Sequence, residues 1–293
     1  MKPAPQRAVP WSRRIRLADA KSILSKTRGF ISEAGFTHSL TPARNCTFGC
    51  VYCYVPTLRI QGGLRQEDWR NWGRFTTFKD NAAELLDRAL RPDQVIYCSP
   101  LVDPYQPAEE HRRIMPELLE TLIRKPPRVF VLQTRGPLIL RDVKQLKVLA
   151  TRTRLRVSFS LTTNRDDVRK LYEPLCSSVN ERVATLAALR DTGIPTYATL
   201  APLLPCEPTE LARLALAFTD QDIIGDPFHV HAVKQHGATT RPEALRISQV
   251  YQFDDWHLPD FQSHVVTTLQ STIQVAGRRF GIGPSAFRWL AQP

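Results

Sequence analysis

The strongest constraint on the fold is an alternation of strand-like and helix-like segments that begins after residue 36. The strand-like segments are short and rich in β-branched and aromatic residues, and they cover 37–42, 94–99, 128–134, 155–162, 195–201 and 228–234. Helical periodicity marks the segments 80–90, 108–124, 138–150, 180–192 and 209–219, with one more helix at 259–275. Six strands alternating with helices predict consecutive βαβ units and a parallel sheet, either doubly wound or curled into a barrel.

The composition is that of a folded globular protein. The chain has 293 residues, of which 42% are hydrophobic, and this is enough for one large α/β domain or two small ones. Its apolar runs are all much shorter than the ~20 residues that span a bilayer. The N-terminus lacks the apolar segment of a secretory signal. We therefore expect a cytoplasmic protein that does not act at a membrane.

Positive charge is concentrated near the N-terminus. The formal net charge is +12, and residues 1–28 contain eight Lys or Arg residues against one acidic residue, Asp19. A basic arm of this kind can contact nucleic acid or another polyanion, and it is equally typical of a solvated tail. An organelle transit peptide is a third interpretation, which Pro3, Pro5 and Pro10 disfavour because they oppose a helix there.

Three of the six cysteines lie within eight residues. Cys46, Cys50 and Cys53 have the spacing C-x₃-C-x₂-C and follow the first predicted strand. Disulfides are not expected in a chain of this size without a secretory signal. Three such thiolates can surround one inorganic centre. A zinc site needs a fourth ligand from elsewhere, whereas a [4Fe–4S] cluster on three thiolates keeps one iron open.

These three cysteines, with Tyr52 before the last of them, resemble the defining motif of the radical S-adenosylmethionine (SAM) superfamily. The resemblance implies a [4Fe–4S] cluster whose open iron binds SAM. It further implies reductive cleavage of SAM to methionine and a 5′-deoxyadenosyl radical, which abstracts hydrogen from a substrate. The implied fold is a partial (β/α)₆ barrel, in agreement with the six βα units counted above. The family position of Tyr52 implies a place near the adenine.

Further segments are similar to the spore photoproduct lyase-like branch of this superfamily, and they occur at 20–24, 102–109, 135–142, 172–182 and 201–205. Val102, Arg135 and Val183 depart from the Thr, Lys and Leu that are usual there, and Arg135 keeps the positive charge. The similarity spans about residues 18–206. We therefore expect a basic arm with the segment leading into the barrel (1–36), the barrel (37–236) and a C-terminal extension (237–293).

The resemblance and the strand positions together predict the residues near SAM. Ser158, Ser160 and Thr162 alternate along one strand, so they share a face that is predicted to line the barrel. The family places Ser160 near SAM, although these hydroxyls can also bond only to neighbouring backbone. The full set of predicted cofactor-binding residues is Tyr52, Ser99, Asp103, Tyr105, Arg135, Ser160, Glu173, Arg182 and Ala201. For Asp103 and Tyr105 the alternative is loop structure, and for Glu173 and Arg182 it is a structural ion pair.

Cys98 is the predicted catalytic residue. In spore photoproduct lyases a cysteine at a similar place donates a hydrogen atom to the product radical, and the weak S–H bond of a thiol suits that step. The alternative is an inert buried cysteine. Cys176 and Cys206 fall in predicted loops and receive no role. His229 and His231 alternate on the last predicted strand, where they could bind metal, transfer protons or simply line the barrel.

The predicted function is that of a radical SAM enzyme with an unknown substrate, for which DNA photoproduct repair is one candidate. The alternative is a zinc-stabilised nucleic-acid-binding protein, suggested by the basic arm and the clustered cysteines. A radical SAM enzyme needs an electron donor, and we expect a flavodoxin- or ferredoxin-like protein. Nucleic acid is a candidate partner of the basic arm.

Overall fold

The computed structural model describes residues 14–58, 63–229 and 241–292. The strands are β1 (Ile15–Ala18), β2 (Leu24–Lys26), β3 (His38–Leu40), β4 (Ala43–Arg44), β5 (Thr76–Lys79), β6 (Val95–Cys98), β7 (Val129–Thr134), β8 (Arg154–Ser160), β9 (Thr196–Leu203), β10 (Ile223–Pro227) and β11 (Phe280–Ile282). They form an eight-stranded sheet, in the order β2-β3-β6-β7-β8-β9-β10-β11, and a three-stranded sheet, in the order β1-β5-β4.

The order of the large sheet is that of a partial barrel. Strand β3 and strands β6 to β10 pair in chain order and are all parallel. A doubly wound sheet would reverse its strand order, and this sheet does not. Strand β2 is antiparallel to β3 at one edge, and β11 is parallel to β10 at the other. Within the described residues the two edges do not pair with each other, so the barrel stays open.

Helices follow most strands of the large sheet. They are α1 (Gly29–Glu33), α2 (Val55–Leu58), α3 (Gln66–Arg70), α4 (Ala82–Ala89), α5 (Glu109–Arg112), α6 (Ile114–Arg124), α7 (Val143–Ala150), α8 (Asp166–Tyr172), α9 (Val179–Asp191), α10 (Pro208–Phe218), α11 (Pro242–Val250), α12 (Pro259–Val275) and α13 (Gly283–Ala291). Among the described helices, none has the length and apolar character needed to cross a membrane.

Local chemistry explains where these helices begin. Helix α9 starts with a capping box, in which Ser178 Oγ accepts from the Glu181 N–H at 3.2 Å and the Glu181 carboxylate accepts from the Ser178 N–H at 2.7 Å. The helix predicted at 180–192 therefore begins one residue earlier, at Val179. Helix α6 buries Ile114, Leu118 and Leu122 along one face, as its helical period predicts.

The first five predicted strands are confirmed, with ends that agree to within two residues. The sixth predicted strand, 228–234, does not coincide with the sixth barrel strand, which is Ile223–Pro227, and residues 230–234 lie outside the described residues. Its Gly-Asp-Pro ending has the composition of a turn. The glycine is needed for packing, since a Cβ on Gly225 would lie 2.6 Å from the Phe280 ring. Phe228 and His229 follow the strand, and His231 lies outside the described residues.

The two faces of the barrel strands contact different layers. Phe130 and Val157 belong to a large core that includes the apolar sides of the surrounding helices. Val131 and Tyr197 lie on the opposite, inner face and pack with α13 in a separate core. Arg156 also faces α13 and donates to the Leu290 carbonyl at 2.8 Å. Helix α13 thus fills the barrel at the amino ends of the strands and leaves the carboxyl ends for other residues.

Candidate active site

The loop that contains Cys46, Cys50 and Cys53 follows β4 at the carboxyl end of the barrel. Asn45 begins this loop in the left-handed region, with φ of 63°. Its Oδ1 accepts from the N–H groups of Cys46, at 2.8 Å, and Gly73, at 2.9 Å. Its Nδ2 donates to the carbonyl of Asn71 at 3.1 Å. One buried asparagine therefore ties the cysteine loop to the segment 63–75.

Two further contacts hold the loop. Gly49 and Gly73 both have positive φ, and a Cβ added to Gly73 would lie 2.7 Å from the Gly49 Cα, so their backbones touch in a way that other residues would block. On the other side, Gln106 Oε1 accepts from the Thr47 N–H at 2.7 Å and from the Thr47 hydroxyl at 3.0 Å. The Thr47 hydroxyl in turn accepts from the Ala108 N–H at 3.2 Å. The cysteine loop is thus fixed from both sides.

All six cysteines are free thiols, and Cys46 and Cys50 are buried while Cys53 is partly exposed. Burial raises the pKa of Cys46, and it raises the pKa of Cys53 to about 12. Cys50 differs, because its pKa is lowered, chiefly by a hydrogen bond with Cys176. The two sulfur atoms, Cys50 Sγ and Cys176 Sγ, are 3.7 Å apart.

The donor chemistry of this loop fits an iron–sulfur cluster, since cysteine thiolates are its usual ligands and three lie on one fixed loop. The described residues contain no set of three His, Cys, Asp or Glu side chains already gathered in ligating positions. At least one of the three cysteine side chains would therefore have to turn its sulfur atom toward the others to hold one.

Glu173, directly after α8, is the centre of a buried polar network. Its Oε1 accepts from the Tyr52 hydroxyl, from the Arg135 guanidinium and, at 3.0 Å, from the Thr162 hydroxyl. Its Oε2 accepts from Arg182. Arg135 also donates to the Tyr52 hydroxyl. The structure thereby brings together four of the predicted cofactor-binding residues, which come from three separate segments of the chain.

The charges in this network do not cancel. Burial alone would raise the pKa of Glu173, but Arg182 and Arg135 outweigh it and lower that pKa to about 2. One carboxylate therefore faces two guanidinium groups, and Arg182 is almost completely buried, with 1% of its side chain exposed. This positive charge also acts on Cys50. The hydrogen bond with Cys176 has the largest effect in lowering the pKa of Cys50, and Arg135 and Arg182 lower it further. Such a site favours anionic groups.

Asp103 and Tyr105 lie on the loop after β6. The Asp103 carboxylate accepts from the Thr134 hydroxyl at 2.6 Å, from the Tyr105 N–H at 2.9 Å and from the Arg135 N–H at 2.8 Å. These bonds hold the loop against the end of β7, so the loop-structure interpretation is supported. Tyr105 is buried, with the Arg141 guanidinium 5.9 Å from its ring centre. Contacts of Asp103 and Tyr105 with SAM stay predictions.

The predicted strand face with hydroxyl groups is found on β8. Ser158 Oγ lies 2.6 Å from Thr199 Oγ1, on the inner side of the barrel. The Ser160 hydroxyl is buried and has no hydrogen-bond partner among the described residues. An orphaned buried hydroxyl is rare unless a ligand or water completes it, so Ser160 fits contact with a bound cofactor. Ala201 is half-buried on β9, at the same end of the barrel.

Two other predicted residues lie at the end of β6 and outside the Glu173 network. Cys98 is fully buried and pairs in register with Leu40 and Leu132. Ser99 follows it, and its hydroxyl lies 3.4 Å from Thr41 Oγ1. Neither side chain has a recorded contact with Tyr52, Arg135 or Glu173 in the described part of the chain, so their roles stay predictions. His229 lies 3.4 Å from Asp226, the two atoms being Nε2 and Oδ1.

The sequence analysis missed two residues of this site. Thr162 was assigned only to a strand face, yet its hydroxyl joins Glu173 and also accepts from Arg182 at 3.3 Å. Cys176 was treated as a loop cysteine, although it touches Cys50. Its position three residues after Glu173, inside a segment similar to a known family, was the available signal. The contact could not be predicted because the two cysteines are 126 positions apart in the sequence.

Solved structures with a similar architecture include those of spore photoproduct lyase. One of them, a variant, matches with a TM-score of 0.63 and 14% sequence identity, over 96% of this chain and 87% of that one. Another, a complex with dinucleoside spore photoproduct, matches with a TM-score of 0.61 and 12% identity over the same shares of the two chains. The TM-scores show a shared fold, and at identities this low the likeness shows the fold alone.

Curated relatives are uncharacterized proteins. One from Methanocaldococcus jannaschii is 26% identical over 160 residues, which are 55% of this chain and 58% of that protein. One from Mycobacterium tuberculosis is 25% identical over 190 residues, which are 63% of this chain and 54% of that protein. The match thus covers little more than half the length of each relative.

The family model of the radical SAM superfamily matches residues 40–215. This range begins just before the cysteine loop and ends within α10, so it contains β6 to β9 and the Glu173 network. Members of the family generally use a [4Fe–4S] cluster and SAM. The motif, the parallel partial barrel and the family match agree, and this chain belongs to the radical SAM superfamily.

Proposed function

We propose that this protein is a radical SAM enzyme that holds a [4Fe–4S] cluster on Cys46, Cys50 and Cys53 and binds SAM at the carboxyl end of the barrel. When bound, the cluster supplies the electron that cleaves SAM to methionine and a 5′-deoxyadenosyl radical, which removes a hydrogen atom from the substrate. The observation that carries this proposal is the fixed cysteine loop beside the cationic Glu173 network.

The protein's own residues bind and orient. Arg135, whose guanidinium is held by Glu173 and Tyr52, keeps its positive charge in a buried position and can bind the carboxylate of SAM. The Ser160 hydroxyl, which has no partner in the described part of the chain, can accept a hydrogen bond from SAM or donate one to it. Burial of Tyr52 and Glu173 excludes water from this side of the site. Glu173 and Arg182 serve in this arrangement as positioning residues.

The test is SAM cleavage by anaerobically reconstituted protein with a chemical reductant. The wild-type protein is expected to contain about four iron and four sulfide per chain and to release 5′-deoxyadenosine, measured by chromatography. A Cys50→Ala variant should release none. Cys206→Ala is the matched control, because Cys206 is also a buried free thiol but lies outside the site. Equal release from Cys50→Ala and wild type would overturn the proposal.

Metal analysis of the same preparation also tests the zinc alternative. A zinc-stabilised nucleic-acid-binding protein would hold zinc on the clustered cysteines after anaerobic purification and would take up no iron. Metal analysis of the wild-type protein and of Cys50→Ala therefore separates the two functions without any substrate.

We further propose nucleic acid photoproducts as the first substrates to test and a flavodoxin- or ferredoxin-like protein as the electron donor. The support is the fold shared with spore photoproduct lyase and the basic N-terminal arm. Irradiated DNA should accelerate SAM consumption, whereas unirradiated DNA should not. Equal rates with both would remove DNA photoproducts from the candidates and leave the radical chemistry standing.

A further inference from the structure

Cys176 lies against a candidate cluster ligand without belonging to the C-x₃-C-x₂-C motif. Its sulfur is 3.7 Å from that of Cys50, within the distance of a hydrogen bond between sulfur atoms. Cys176 is buried, with 6% of its surface exposed. Among the described residues, no other two cysteine sulfurs form a hydrogen bond with each other. The inference below rests on the proposed function, because it needs Cys50 to be a cluster ligand.

The position of Cys176 is fixed by its own backbone. The Cys176 N–H donates to the Glu173 carbonyl at 3.0 Å. The Cys176 carbonyl accepts from Arg169 Nη1 at 3.2 Å, and Arg169 Nε is bonded to Asp166 at 2.9 Å. Because both backbone groups are held, the thiol stays close to Cys50 without any help from the sulfur contact itself.

The direction of the hydrogen bond follows from the chemistry of ligation. A cysteine that binds iron has lost its proton, so its sulfur can only accept. The Cys176 thiol must then be the donor. A hydrogen bond to a ligand sulfur stabilises the more negative, reduced cluster and so raises its reduction potential.

We propose that Cys176 is a positioning residue that donates its S–H to the ligand sulfur of Cys50 and makes the cluster easier to reduce. It touches neither SAM nor substrate in this role, since it acts through Cys50. Its effect is therefore on the potential at which the cluster accepts an electron, before any chemistry on the substrate.

The experiment is a redox titration of the reconstituted protein, in which the reduced cluster is followed by electron paramagnetic resonance. At the potential that half-reduces the wild-type cluster, Cys176→Ala should show a ratio of reduced to oxidised cluster up to about tenfold lower. For one electron this corresponds to a shift of about 59 mV toward negative values. Cys176→Ser keeps a donor and should titrate at or above the wild-type potential, and Cys206→Ala should titrate like the wild type.

Two results overturn the inference. One is a Cys176→Ala cluster that titrates like the wild type, and the other is an equal shift in the Ala and Ser variants, which indicates a packing effect. If the wild-type protein binds no cluster, the proposed function fails and this inference fails with it. If the cluster binds and releases 5′-deoxyadenosine but its potential does not respond, only the inference fails.

Cluster-free protein gives a second readout that does not depend on folding of a variant. Treatment with diamide should join Cys50 and Cys176 in a disulfide, with two protons and two electrons passing to the diamide as it becomes a hydrazine. Peptide mapping by mass spectrometry identifies the pair. A disulfide between Cys50 and Cys46 or Cys53 instead would contradict the placement of Cys176.

Discussion

At the amino ends of the barrel strands the interior is filled by apolar side chains of α13, whereas at the carboxyl ends it holds a buried carboxylate between two guanidinium groups. At the amino ends, Phe287 and Leu290 pack against Val131 and Tyr197. At the other end the side chains around Glu173 are equally buried but charged. The side chains at both ends are buried, but those at the amino end are apolar and those at the carboxyl end are charged.

The two ends of the barrel contribute differently to the free energy of folding. Apolar burial stabilises by about 25 cal/mol per Å² and needs no particular partner atom. Buried charges lose hydration, and the loss is recovered only when every partner is present. The amino end therefore stabilises the fold. The buried charges at the carboxyl end add little stability of their own, and apolar packing in the rest of the protein compensates for their lost hydration.

The largest expected effect comes from Glu173→Gln. Loss of the carboxylate leaves Arg135 and Arg182 buried without a counter-charge, and we expect the free energy of unfolding to fall by about 3–5 kcal/mol. Release of 5′-deoxyadenosine should fall to that of Cys50→Ala. Denaturant unfolding and the cleavage assay measure the two effects.

Glu117→Gln is the control for this variant. Its carboxylate pairs with Arg112 at 2.7 Å but is 45% exposed, so the expected loss is less than about 1 kcal/mol. Equal losses from the two substitutions would show that burial does not distinguish these carboxylates.

Leu290→Ala tests the amino end. Removal of a fully buried leucine should lower the free energy of unfolding by about 3 kcal/mol, while the folded variant keeps its rate of SAM cleavage. The measurement is denaturant unfolding together with the cleavage assay well below the melting temperature. Val275→Ala, at a side chain that is 91% exposed, should change stability by less than about 0.5 kcal/mol. A folded Leu290→Ala protein without activity would mean that the two ends are coupled.

Apart from the control variants, the smallest effect is expected from Asp166→Asn. A hydrogen bond with Arg169 lowers the pKa of Asp166 from its usual 3.8 to about 2. A lowered pKa in the folded state means that the stabilisation is present above pH ~4 and is lost as the pH falls from ~4 to ~2. Because the carboxylate is 37% exposed, the variant should be less stable by under about 1 kcal/mol at pH 7. In denaturant unfolding from pH 7 down to pH 3, the difference in the free energy of unfolding between wild type and Asp166→Asn should become smaller. A difference that grows as the pH falls would contradict the prediction.

The parts of the fold that the sequence predicted are those with strong side-chain patterns. Strands β7 and β8 have runs of Val, Phe and Leu, and both were placed within two residues. Strand β10 was misplaced because Gly225 and Pro227 have the character of a turn. The small sheet was missed, since strands of two to four residues such as β4 leave no measurable period.

Within the site, motif similarity predicted residues but not their contacts. Glu173 and Arg182 were expected either at SAM or in an ion pair, and the structure forms the ion pair. Thr162 and Cys176 were missed because their partners are distant in sequence or belong to another pattern. A strand period assigns a face, whereas a hydrogen-bond partner depends on how loops from separate units meet.

The contacts of Asn45, Thr47 and Gly49 have a consequence for how a cofactor is acquired. Ordering the backbone of a flexible loop costs about 1–2 kcal/mol per residue. Here these three residues already fix the loop when the chain folds. Only the cysteine side chains then remain to be ordered at loading, so most of the affinity gained from each iron–sulfur bond is retained as binding strength.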